Sequence, residues 1–143
     1  HNFNAFLDTY SKLKENNIRV CVHIINGLYD ETEEMMINTA KTVGRLYPDG
    51  IKIHLLHIMR NTRLAKEYES GLILPMEKDD YIRIVCNQLC YIPETTVVER
   101  ITGDGSKAGL IAPLWSLNKI SVLGGIDKYM ADNNLVQGMF FKD

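Results

Sequence analysis

Apolar residues recur at Phe3, Phe6, Leu7, Tyr10 and Leu13, a spacing that lines one side of a helix over residues 3–16. The polar run Lys14-Glu15-Asn16-Asn17 ends that helix. Residues 18–25 are short and rich in β-branched side chains, which predicts a strand. After a loop over 26–30, Asp30 or Thr32 can cap a helix running to about Tyr47, with Glu31, Glu33 and Glu34 near its positive end. Pro48-Asp49-Gly50 breaks it. The pattern then repeats. Residues 51–58 read as a second strand, 62–70 as a short helix stopped by Gly71, 76–91 as a longer helix and 96–102 as a third strand. Gly103-Asp104-Gly105 is a turn, and Ser116 is the expected cap of a final helix ending near Asn133. Strands alternating with helices across short loops imply βα units with parallel strands, and no linker divides them.

The two faces of these strands differ. Val20, Val22 and Ile24 lie on one side of the first strand, opposite Arg19, Cys21, His23 and Ile25. Ile51, Ile53 and Leu55 likewise oppose Lys52, His54 and Leu56 in the second. A parallel sheet covered on both faces would be apolar almost throughout. One apolar face and one mixed face suit a barrel or half-barrel with helices outside and a partly polar lumen. Ligands of such folds bind at the C-terminal ends of the strands, here the loops after Ile25, Ile58 and Thr102.

Composition narrows the function classes. Over 143 residues, 45% are hydrophobic and 24% charged, a globular balance with room for one core. The net charge of −2 gives no global basic field for nucleic acid, although a local patch remains open. No apolar run approaches the roughly 20 residues that cross a bilayer. The first residues lack a signal peptide's basic and apolar regions, and three cysteines are an odd count. Both point to a reducing, cytoplasmic setting. Cys86 and Cys90, at i, i+4 on a predicted helix, suit core packing; metal binding would need two further ligands at suitable spacing.

The stretch His23-Ile24-Ile25-Asn26-Gly27-Leu28-Tyr29-Asp30-Glu31 resembles the GxIxGxxxE pattern on the fifth strand of radical S-adenosylmethionine (SAM) enzymes. Ile25, Gly27 and Glu31 match, and His23 stands where the first glycine is usual. An ordinary strand-to-helix turn would use Gly27 and Glu31 in the same way. The wider sequence favours the family. Residues 22–28, 50–57 and 112–119 together resemble a bacterial Fe-S oxidoreductase subgroup whose barrel is similar to that of the Elongator catalytic subunit. Residues 62–71 look like the segment after the sixth strand in that subgroup and in coproporphyrinogen-dehydrogenase-like proteins.

The resemblance implies an α/β fold, the C-terminal half of a partial (β/α)6 TIM-like barrel with mostly parallel strands and a C-terminal helical extension. Residues 1–94 would be the barrel half, and 95–143 the last strand and extension, packed with it as one unit. It implies a parent enzyme in which a [4Fe-4S] cluster on CxxxCxxC binds SAM and cleaves it reductively to a 5′-deoxyadenosyl radical for hydrogen abstraction. Cys86 and Cys90 supply only the first spacing of that triplet. The chain is therefore expected to lack the cluster and to be inactive alone. Carried over by position, Ile25 packs near the adenine, Gly27 lets the turn pass close, Glu31 braces the turn, and Leu56 and His57 end the strand that meets the adenine.

Other residues keep more than one reading. His23 and His54, on the mixed faces of neighbouring strands, can orient substrate or relay a proton, or form a hydrogen-bonded lumen pair without chemistry. A zinc site from His23, His54 and Cys21 lacks the usual ligand spacing. His57 falls on the opposite face from His54 by strict alternation, unless the strand end twists. Arg100, with Asp104 near it at the end of the third strand, suits an anionic substrate or cofactor carboxylate, or forms a plain salt bridge with Glu99 or Asp104. Trp115 serves packing, or a platform for a partner or nucleobase. A second function class makes the segment from about Thr95 a recognition module for RNA or protein. A half-barrel also exposes strand edges, so the 19–25 strand is expected at an edge that dimerisation or another segment covers.

Overall fold

The computed structural model describes residues 2–103 and 108–142. Helix α1 (Phe3–Glu15) is capped by Asn2, whose side-chain oxygen accepts from Ala5 N–H at 2.9 Å. Strand β1 (Cys21–Asn26) leads through a turn into helix α2 (Glu33–Gly44). Thr32 provides the α2 cap, accepting from Met35 N–H at 3.2 Å, while Asp30 takes a left-handed φ of 56° in the turn. Strand β2 (Gly50–Leu55) follows, then a two-residue strand β3 (Ile58–Met59), helix α3 (Arg63–Glu69) and helix α4 (Lys78–Leu89). Strands β4 (Val97–Arg100) and β5 (Leu110–Ala112) precede a short 3-10 turn, Leu114–Leu117, and helix α5 (Lys119–Asp132).

β1, β2 and β4 form a parallel sheet in that order, with β1 at one edge. The alternating faces predicted for the first two strands are the faces that form. Val22, Ile24, Ile51, Ile53 and Leu55 are buried beneath α2, α4 and α5 with Ala40, Tyr81, Val85, Val122 and Ile126. Cys21, His23, Ile25, Lys52 and His54 line the opposite, uncovered face. The described strands do not close a barrel.

Three expectations need correction. The predicted 51–58 strand is two strands: β2 ends at Leu55, and β3 turns away to pair antiparallel with β5 over a separate small core of Ile58, Ala65, Ile73 and Ala112. β5 has no counterpart in the predicted element list, because three residues are too few to display a period. Ser116 does not cap the last helix; its hydroxyl donates to Pro113 carbonyl, and Asn118 caps α5 by accepting from Ser121 N–H at 3.1 Å.

Candidate functional site

Because the three strands run in one direction, their C-terminal ends deliver their following loops to one side of the molecule. β1 and β2 stay in register to their last residues, Asn26 opposite Leu55, and Leu56 N–H then donates to Asn26 carbonyl at 2.9 Å. The ends carrying Gly27 and His57 are therefore neighbours.

The turn after β1 is built around Gly27, whose φ of +82° is a conformation that disfavours any side chain. A Cβ at Gly27 would lie 3.4 Å from Met76 Cε. Glu31 reaches back over this turn, and one carboxylate oxygen accepts from Gly27 N–H at 3.0 Å and Leu28 N–H at 3.1 Å. Just before it, Ile25 points onto the uncovered face, 46% exposed. An apolar side chain held this open beside a braced glycine turn offers a flat contact surface.

His57 lies beyond the last residue of β2, so strand alternation no longer fixes its direction. It packs against Gly103 in the loop after β4, where a Cβ would fall 2.6 Å from His57 Cε1. Its Nε2 is buried with no hydrogen-bond partner among the described residues, and burial lowers the imidazole pKa. The ring is thus held neutral, with one donor and one acceptor nitrogen.

His23 and His54 come together, their rings 5.3 Å apart between centroids and tilted by 39°. The pKa of His54 is lowered first by burial, then by the nearby charges of His23 and Arg100, and its Nε2 is also buried without a partner. Arg100 stands opposite Lys52 at the end of β4. Asp104 lies outside the described residues.

A second polar group on the same face escaped sequence reasoning. Lys52 Nζ pairs with Glu99 at 3.3 Å, and the Cys21 thiol hydrogen-bonds to the same carboxylate. That pairing holds Glu99 below its usual range, while burial and then Glu99 push the Cys21 thiol up. A register shift between Ile51 and Lys52 makes Val98 and Arg100 successive partners, leaving Glu99 as the extra residue. The mixed-face position of Lys52 was the readable half of this signal; the bulge was not.

The exposed Ile25 beside the braced Gly27 turn is chemically compatible with the adenosine end of SAM, whereas His57 Nε2 is buried against the loop at Gly103. They do not fit an iron–sulfur cluster. Cys86 and Cys90 are buried in the core, with thiols directed at the Ile126 and Cys86 carbonyls, and burial pushes Cys86 up to about 12. Among the described residues no three His, Cys, Asp or Glu side chains gather to hold a metal. Trp115 is turned inward, donating to Met76 carbonyl at 3.0 Å and packing 5.5 Å from Tyr81. Among the described residues no helix is long and apolar enough to cross a membrane.

The family model described as Radical_SAM C-terminal domain matches residues 48–132. Over 142 residues, 99% of the chain, the sequence is 47% identical to the protein YtqA of Bacillus subtilis (strain 168). Over 138 residues, 96% of the chain, it is 30% identical to the protein YhcC of Escherichia coli (strain K12). The chain spans 44% of the length of each of these relatives. Its fold is similar to that of the archaeal Methanocaldococcus infernus Elp3 with an N-terminal deletion, with a TM-score of 0.74 across 91% of this chain and 31% of that one at 19% identity. The expected open α/β half-barrel is thus the fold observed.

Proposed function

Because this chain belongs to the radical SAM C-terminal domain family, we propose that it supplies the adenine-side wall of a SAM site in an iron–sulfur oxidoreductase. When bound beside a reduced [4Fe-4S] cluster, SAM supplies a 5′-deoxyadenosyl radical for hydrogen abstraction. In this reading residues 1–94 are the barrel half, and 95–143 the last strand and extension, packed as one unit. Tyr81 hydroxyl donating to Ile101 carbonyl and Gln137 donating to Pro93 carbonyl tie the two parts together.

The residues divide the work by position. Ile25 gives the adenine ring an apolar contact, and Gly27 allows the backbone to approach. Glu31 fixes the turn through two N–H groups. The Leu56 backbone and the neutral His57 imidazole read the adenine edge. His23, His54 and Arg100 face substrate, with Asp104 as a further candidate. The chain alone, without cluster ligands, does not cleave SAM.

One observation carries the proposal: the positive-φ turn at Gly27, held by two N–H bonds to Glu31, with Ile25 exposed beside it. The test is to reconstitute the intact protein with iron and sulfide, reduce it and assay 5′-deoxyadenosine. Cleavage, together with SAM affinity weakened by His57→Ala, is expected. Absence of cluster absorption and of cleavage would sink the idea.

A second reading makes residues 95–143 a recognition surface for RNA or protein, supported by the exposure of Leu114, Leu117 and Ile120. Salt-dependent RNA binding by the intact protein, lost on charge reversal at Arg100 and Lys119, would favour it; no binding at low salt would remove it. The bare edge of β1 adds a companion proposal, that a second copy or another segment covers it. A monomer in light scattering with that edge uncovered in an experimental structure would contradict this.

A further inference from the structure

The loops leading into β2 and β4 lie at the end of the sheet away from Gly27 and His57, and they carry a different chemistry. A cavity of about 210 Å³ opens there, lined by Lys41, Arg45, Tyr91, Phe140, Phe141 and Lys142. Close backbone contacts preform it. The C-terminal end of α2 approaches the end of α4 so tightly that a Cβ on Gly44 would fall 2.3 Å from Tyr91 carbonyl oxygen. The segment after α5 is tied down by Gly138 N–H donating to Leu89 carbonyl at 3.1 Å and Phe140 N–H to Cys90 carbonyl at 2.8 Å. Phe141 stands edge-on to Tyr47 with centroids 5.2 Å apart.

The cations of this cavity have no counter-ions among the described residues. Among the described residues, no carboxylate forms an ion pair with Lys41, Arg45 or Lys142, whereas Lys12, Lys14, Lys52 and Arg83 each have one. Lys41 is accounted for within the fold: it sits in the last turn of α2 and lies 4.8 Å from the Tyr91 ring centroid. Arg45, the C-cap residue of α2, shares that favourable helix end but is exposed, and Lys142 is exposed as well. Phe140 shares the lining with them, 42% exposed, its ring 5.7 Å from Tyr91.

The geometry points to a second ligand site that takes a nucleotide, its phosphate between Arg45 and Lys142 and its base against Phe140. A guanidinium and an ammonium that pair with no described carboxylate are a phosphate's complement. The open aromatic ring is what a bare anion would leave unused and a base would stack on. A cavity of 210 Å³ encloses the phosphate and leaves the base at the rim, so a free nucleotide and one residue of a single strand share this chemistry. The inference does not depend on the SAM reading; a failed cleavage assay leaves it standing.

The test is titration of the intact protein, by calorimetry and NMR shifts, with inorganic phosphate, uridine 5′-monophosphate and a short uridine oligonucleotide. The uridine base keeps the probe distinct from any adenine site. The monophosphate is expected to bind more tightly than phosphate. Arg45→Glu with Lys142→Glu should weaken it at least about tenfold, and Phe140→Leu, which preserves bulk, should bring it down about tenfold to the level of phosphate. An oligonucleotide that binds more tightly, with steeper salt dependence, identifies a strand as the source; equal affinity identifies the free nucleotide. The proposal is overturned if millimolar monophosphate does not bind, if phosphate binds as well, if the charge reversal has no effect, or if poly-glutamate competes equally.

Discussion

The carboxamides of Asn26 and Gln88 bond to each other in both directions, each contact 2.8 Å long, across 62 positions of sequence. Gln88 also donates to Met36 carbonyl at 2.9 Å, so one buried amide pair joins the end of β1 to α4 and α2. Both residues are almost wholly inaccessible.

Removing one partner strands the other. Asn26→Leu or Gln88→Leu is expected to destabilise the fold by about 2–3 kcal/mol, since a buried amide loses its bonds. The double variant should cost less than the sum of the two. Urea unfolding of all four forms measures this, and strict additivity would show that the pair is not coupled.

Glu31 should matter for the ligand more than for the fold. Glu31→Ala leaves two N–H groups of the turn without their acceptor and is expected to lower SAM affinity of the intact protein by about tenfold. Glu31→Gln keeps an acceptor oxygen and should retain most of the binding. Calorimetry distinguishes them; equal affinities for Ala and wild type would remove the bracing role.

Gly103→Ala tests the seat of His57. The added Cβ would lie 2.6 Å from His57 Cε1, so the ring or the loop must shift. A stability loss of about 1–3 kcal/mol is expected, with shifted His57 imidazole resonances and weaker SAM binding. Unchanged imidazole resonances would mean that the loop yields instead.

Gly44→Ala meets backbone rather than a side chain, because Tyr91 carbonyl stands in its way at 2.3 Å. The expected cost is about 2–3 kcal/mol in urea unfolding, as for other overpacked contacts. A neutral effect would show that α2 and α4 separate easily.

Stability should fall as the solution is acidified, in two stages. Burial lowers the folded pKa of His54 and His57 from 6.5, so below that pH the unfolded chain takes up protons that the folded chain does not. Their contribution is complete above 6.5 and is lost as pH falls through the folded values. Asp49 and Glu99, lowered by Lys14 and Lys52 from 3.8 and 4.5, add a second decline at lower pH. His54→Gln with His57→Gln should flatten the first stage alone, as read from urea midpoints between about pH 7 and pH 5.

The parts of this molecule that follow local periodicity were legible in its sequence. Alternation at 20–25 and 51–55 separates the buried and open faces of β1 and β2, and the juxtaposition of His23 with His54 follows from that pattern once the strands are parallel. Short or interrupted elements were not legible. β3 and β5 are two and three residues long, and the 3-10 turn before α5 moves its cap from Ser116 to Asn118. Long-range polar pairing was equally hidden: nothing near Asn26 announces Gln88, and the bulge at Glu99 removes the alternation that would have joined it to Lys52. His57 became a candidate through family resemblance, and its orphaned nitrogen is a product of the loops that meet around it.

The brace at the first turn also decides which ligands are turned away. Both N–H groups that this turn could offer an anion, those of Gly27 and Leu28, already face the Glu31 carboxylate. Phosphates commonly dock on such backbone donors, and here they would meet occupied donors and a like charge. In the proposed reading that rim therefore selects by charge before shape, disfavouring a phosphorylated nucleotide and favouring a nucleoside that carries a positive centre.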